Sequence, residues 1–228
     1  MKHLFIGIIA LALSVTTLSA QDAGIASIKR PVDIDVDFQP SYFESKPWVN
    51  EFKYVVVINK AIKGSEAQTI KVYEYGHKII ESIVSTGRDG FEKKGEHHSV
   101  RDSWSVTPTG YYTPSYLDKD HRSGAYGKWR WLTGGTLMPY AMFFNEGIAM
   151  HQFPKGTESQ LGTNASGGCV RLKKEVAIEL FTRIGETKGQ RIPKFNVDGT
   201  ITTDANGNYA YRNSGFSTLI IVKNKIVE

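Results

Sequence analysis

Cys169 is the only cysteine in the chain, and His151 precedes it by 18 positions. A thiolate, not a thiol, attacks a carbonyl, and an imidazole within hydrogen-bond reach is the usual means of making one. The thiol closes the run "NASGGC", so Gly167 and Gly168 stand directly before it. Residues without a Cβ let backbone N–H groups approach a developing oxyanion and leave room for a substrate, which makes the N–H groups of Gly168 and Cys169 the expected oxyanion donors. These residue types in this order point to a nucleophilic thiol acting on a carbonyl. A lone thiol also suits an inert buried cysteine, but the N-terminus argues against that reading.

The first twenty residues, "MKHLFIGIIALALSVTTLSA", carry Lys2, an apolar run from Leu4 to Leu13 and small residues ending at Ala20. This is the layout of a secretory signal peptide at 1–20, too short in its apolar part to span a bilayer. An exported protein normally pairs its cysteines, so a single one there reads as a reactive thiol or an intermolecular link. The formal charge of +5 falls to +4 once Lys2 is removed, and the basic residues are scattered. That pattern favours tolerance of an anionic envelope over a nucleic-acid footprint, so no nucleic-acid partner is expected. After signal removal, no further segment is long and apolar enough to be read as a membrane span.

The elements that must position the pair are mostly strands. Residues 21–50 read as a linker or arm in which the alternation "VDIDVDF" suggests an edge strand with Asp33, Asp35 and Asp37 on the wet face. From residue 51 to 228 a single domain is expected. In it "KYVVVINK" is a buried strand, and "QTIKVYEYGHKIIESIVSTG" is a hairpin with Gly76 at its tip. Residues 88–130 read as long loops, with His97, His98 and His121 exposed on them and no metal site at ligand spacing. "MPYAMFFNEGIAMHQF" reads as two strands around a turn at Asn145, Glu146 and Gly147, the second ending at His151. After the thiol, Val176, Ala177, Leu180, Phe181 and Ile184 recur at helical spacing, with Gly185 placed to cap the helix. A final strand runs from Thr218 to Val222. The fold class is therefore mainly β with one helix following the cysteine.

Four stretches, "TPTG" at 107–110, "MPYAMFF" at 138–144, "GIAMHQ" at 147–152 and "ASGGCVRL" at 165–172, resemble the motif series of the L,D-transpeptidase catalytic domain. The family pattern is a His, a gap of fourteen to seventeen residues, then Ser or Thr, His, Gly and Cys. Here His151 is followed by 14 residues and then Ser166, Gly167, Gly168 and Cys169, so Gly167 replaces the family's second histidine. The resemblance implies a β-sandwich-like domain acting on peptidoglycan stem peptides with no cofactor and no metal. It implies Cys169 as nucleophile, His151 as base, Gly168 at the oxyanion and Ser166 as the group orienting the imidazole. Arg171, Gly167 and Tyr140 are expected to contact substrate, with Tyr112 and Trp129 as further groove residues. Cross-linking, exchange of the terminal D-residue, protein attachment, trimming by an L,D-carboxypeptidase and a non-catalytic wall-binding role all remain open at this point. Sortases and papain-like peptidases fit less well: nothing like a "TLxTC" strand surrounds Cys169, and papain-like chains place the Cys before the His.

Overall fold

The computed structural model describes residues 28–93, 102–124, 126 and 134–228. The expected signal peptide, His97, His98 and Trp129 lie outside the described residues. Three strands open the domain, β1 (Tyr54–Asn59), β2 (Thr69–Glu74) and β3 (His77–Ile83), with Tyr75 and Gly76 at the β2–β3 turn. A short ribbon follows, β4 (Phe91–Glu92) against β5 (Ser103–Trp104), and then β6 (Gly110–Tyr112). Next come β7 (Tyr116–Ser123), β8 (Thr136–Asn145), β9 (Ile148–Gln152) and β10 (Val170–Leu172). The chain ends in β11 (Lys188–Pro193), β12 (Tyr211–Phe216) and β13 (Thr218–Lys223).

These strands form a five-stranded sheet in the order β3-β2-β1-β13-β6 and a four-stranded sheet in the order β10-β9-β8-β7. β1 and β13 run parallel at the middle of the first sheet and are buried at every position. Burial on both faces is why "YVVVIN" and "TLIIVK" are nearly continuous apolar runs rather than alternating ones. Val56, Ile58, Ile220 and Val222 face the four-stranded sheet, where Met142, Phe144, Met150, Val170 and Leu172 meet them in one core. Val55, Val57, Leu219 and Ile221 face the other way.

The helix expected after the thiol spans Lys174–Gly185 and is the second α-helix among the described residues, after α1 (Tyr42–Ser45). In this α2, Val176, Ala177, Leu180 and Ile184 are buried in the inter-sheet core, and Phe181 is packed at its edge. Gly185 is not the cap. It is the last helical residue, and the end is closed by Glu186 N–H to Thr182 O (3.1 Å) and Thr187 N–H to Ile184 O (2.9 Å).

The arm packs over the second face of the five-stranded sheet. Val36, Phe38, Trp48, Val49 and Phe52 join the core on that side. Residues 29–39 keep the alternation read from the sequence, with Val36 and Phe38 buried, but they form no strand. Asp33 and Asp35 instead pair with Lys60 (2.7 Å) and Lys225 (2.5 Å). Trp48 stacks on Phe195 with ring centroids 5.5 Å apart and is 5% exposed. Trp48→Ala should therefore cost about 3–5 kcal/mol of unfolding free energy, the usual range for a buried aromatic. A urea titration checks this, and a loss under about 1 kcal/mol would mean that the arm contributes little to the domain.

Candidate active site

The site lies on the outer face of the four-stranded sheet. β9 and β10 are parallel, with Val170 opposite Met150 and Arg171 opposite His151. Met150, Val170 and Leu172 point into the inter-sheet core, so the alternation of a strand sends Ala149, His151 and Arg171 to the opposite face, where Cys169, in the bend directly before β10, also lies. There Cys169 packs against Met138, Ala141, Phe143 and Ala149. His151, Cys169 and Arg171 line one cavity of about 500 Å³, together with Tyr116, His121 and Tyr126.

His151 is 3% exposed, and its Nδ1 lies 2.6 Å from the carbonyl oxygen of Gln152. A carbonyl only accepts, so Nδ1 carries the proton and the neutral ring keeps its lone pair on Nε2. The imidazole is thus oriented by a backbone carbonyl and not by Ser166. Burial lowers the imidazole to a pKa of about 4, against a partial rise from the Gln152 bond, and the Arg171 and His121 charges lower it further. Burial raises the Cys169 thiol above its ordinary value, opposed by the Ala149 N–H, 3.5 Å from Sγ, and by the Arg171 charge. Both shifts favour the neutral pair, S–H and imidazole, over a preformed thiolate and imidazolium.

The turn before the thiol is tied down on several sides. Ser166 Oγ donates to Cys169 O (2.5 Å) and accepts from Gly168 N–H (3.1 Å), so the Gly168 N–H is bonded within the turn. Thr107 Oγ1 donates to Gly168 O (2.6 Å) and accepts from Gly87 N–H (2.9 Å). Thr107 opens the "TPTG" stretch, the one signal in the sequence that marked it. Gly168 has φ +124°, and a Cβ there would stand 3.0 Å from Val106 O, so this position needs glycine.

Arg171 Nη1 bonds Gln160 Oε1, and the guanidinium lines the cavity. Burial, together with the nearby Arg88 charge, lowers its pKa from the ordinary value. Tyr140 does not line the cavity. It has φ +56°, which turns its ring to the other face, where it packs edge-on to Phe181 at 5.6 Å. Tyr112 lies under Phe144 at the margin of the inter-sheet core and faces a different cavity. His121, expected on a loop, stands on β7 and lines the cavity.

Gly167 is covered by Tyr126. A Cβ at 167 would fall 2.0 Å from the Tyr126 hydroxyl, which bonds Glu92 Oε2 at 2.7 Å. The space beside the thiol that a side chain at 167 would fill is taken by a tyrosine from elsewhere in the chain. Gly167→Ala should push Tyr126 off Glu92 and lower stability by about 1–3 kcal/mol, as overpacking does. Tyr126→Ala in the same chain should return most of that loss, which a double-mutant cycle of melting curves would measure. Additive losses would place the conflict elsewhere.

Residues 53–200 match the family model of the L,D-transpeptidase catalytic domain, YkuD. The chain belongs to this family. No curated protein matches it in sequence. Among solved structures, the L,D-transpeptidase of Xylanimonas cellulosilytica is 16% identical over 90% of this chain and 70% of its own, with a TM-score of 0.47. The Mycobacterium smegmatis L,D-transpeptidase is 16% identical at TM-score 0.45, over 75% of this chain and 59% of its own. A Mycobacterium tuberculosis L,D-transpeptidase is 17% identical at TM-score 0.45, over 76% and 58%. This chain therefore spans under two thirds of both mycobacterial proteins. Among the described residues of this L,D-transpeptidase domain, no group of three His, Cys, Asp or Glu could hold a metal ion, and no helix is long and apolar enough to cross a membrane.

Proposed function

We propose that the protein is an exported cysteine acyltransferase acting on peptidoglycan stem peptides, with Cys169 as nucleophile and His151 as base. The observation that carries this reading is the shared face of β9 and β10, which sets a thiol and an imidazole of fixed tautomer on one cavity floor. In the first step Cys169 Sγ attacks the carbonyl of the third, L-centred stem residue while its proton passes to His151 Nε2. The tetrahedral intermediate then collapses, the C–N bond breaks, and His151 gives the proton to the departing D-residue amine. Because the neutral pair is favoured, proton transfer accompanies attack rather than preceding it. The Cys169 N–H serves as the oxyanion donor, since Ser166 occupies that of Gly168. Arg171, whose planar fork matches a carboxylate, and Gly167 border the bound stem peptide. The thioester is resolved by an amine, which gives transfer, or by water, which gives trimming.

The test is mass spectrometry of muropeptides after incubating the mature protein with peptidoglycan rich in tetrapeptide stems. New dimers joined between third residues support transfer. Loss of the terminal D-residue without dimers identifies an L,D-carboxypeptidase on the same substrate. A profile unchanged across donors and acceptors would defeat the catalytic reading and leave a wall-binding relative.

A further inference from the structure

Two walls of the cavity differ in charge. On the β10 side stand Arg171 and Arg88, the latter paired with Glu92. On the β7 side stands His121, whose Nδ1 lies 3.0 Å from Asp118 Oδ2. A carboxylate only accepts, so Asp118 fixes the proton on Nδ1 and leaves Nε2 of the neutral ring with its lone pair. The ring is held edge-on to Phe143 at 4.8 Å, and Phe143 belongs to the cluster against which Cys169 packs. His121 pairs across β7 and β8 with Met138, a second member of that cluster. An imidazole seated on an aromatic ring and backed by a carboxylate thus faces the same space as the thiol. The proton circuit through His151 does not use it.

The reaction has a proton to spare. An alkyl amine acceptor arrives as an ammonium, with a pKa of about 10, and is no nucleophile until it loses one proton. His151 is neutral again once the first leaving group has gone, and it is needed to return a proton to the Cys169 sulfur. We propose, resting on the transferase reading above, that His121 with Asp118 is the acceptor-side base. The ammonium docks against the Asp118–His121 couple, and His121 Nε2 takes its surplus proton. The free amine then attacks the thioester carbonyl, a C–N bond forms and the C–S bond breaks. The second amine proton passes through His151 to sulfur, and His121 releases its proton to water. The donor thus lies toward the arginine wall and the acceptor toward β7.

The experiment compares two acceptors on the acyl-enzyme formed from a tetrapeptide donor, followed by intact mass: Nα-acetyl-lysine, an ammonium at neutral pH, and methoxyamine, already neutral there. His121→Phe keeps the ring on Phe143 and removes the base, while Asp118→Asn leaves the ring and removes the carboxylate. In both variants the rate with Nα-acetyl-lysine, relative to that with methoxyamine, should fall on the order of 10²-fold, the scale of general base catalysis. Raising the pH should restore the lysine-type acceptor by supplying free amine. Equal slowing with both acceptors, or no slowing with either, would overturn the assignment. Failure of the wild-type protein to form any acyl-enzyme would instead remove the transferase reading, and this inference with it.

Discussion

Cys169→Ala should abolish formation of a covalent adduct with a stem-peptide donor and lower turnover on the order of 10⁴-fold or more. Removing the nucleophile of a covalent mechanism removes its whole first step, and what remains is binding and electrostatics. The fold should hardly notice. The sulfur's polar contacts are long, with Ala149 N–H at 3.5 Å and Gly147 O at 3.8 Å, and the side chain borders a cavity that already exists. A loss of about 1 kcal/mol or less is expected, the scale of one weak bond. Intact-mass measurement of donor-treated protein beside a thermal melt separates the two effects. Turnover surviving in the alanine protein would mean that the cavity works without its thiol.

His151→Gln should have a comparably large effect on rate and a second effect on acid stability. Loss of a positioned base slows proton transfer on the order of 10²- to 10⁴-fold. The stability effect follows from burial. In the unfolded chain the imidazole takes a proton below its ordinary value of 6.5, whereas in the fold it resists until about 4. The unfolded state therefore binds more protons across that window, and stability falls as the pH drops from about 6.5 to about 4, with no further loss from this group below. A shift of about 2.5 units corresponds to about 3 kcal/mol. Glutamine does not titrate, so the gap in unfolding free energy between the two proteins should change by that amount between pH 7 and pH 4. Urea titrations at the two values test it, and parallel behaviour would show that His151 is protonated as easily in the fold as outside it.

How far these features were legible depended on where the apolar signal lay. β1, the β2–β3 hairpin, α2 and β13 carry their own burial pattern in sequence, so their places follow from periodicity. β7 does not. "YLDKDHRS" is an edge strand of the four-stranded sheet that turns one face to the cavity, so it lacks an apolar stripe and reads as loop, and His121 was misplaced with it. Tyr140 failed for a local reason, because its positive φ reverses the facing of β8 between Met138 and Ala141. The nucleophile and base could be named from type and spacing. Their orienting groups could not, because the partner of His151 is a backbone carbonyl and that of Gly168 is a threonine 61 positions earlier. Tyr126 over Gly167 is a tertiary contact with no local signature.

The parallel pairing of β9 and β10 separates two properties that a loop-built site would entangle. The ladder sets His151 beside Arg171, and the turn tied by Ser166 and Thr107 holds Cys169 directly before that strand. Residues 154–161 then pass through a short 3-10 turn at Glu158–Gln160 before Gly162 N–H bonds Val84 O just after β3, and Pro154 in this stretch forms part of the cavity rim. Insertions and substitutions along this rim can accumulate without moving the reacting atoms. Selectivity for one stem peptide over another is thereby free to drift while the chemistry stays fixed, and the segment is the natural place to begin altering what the protein accepts.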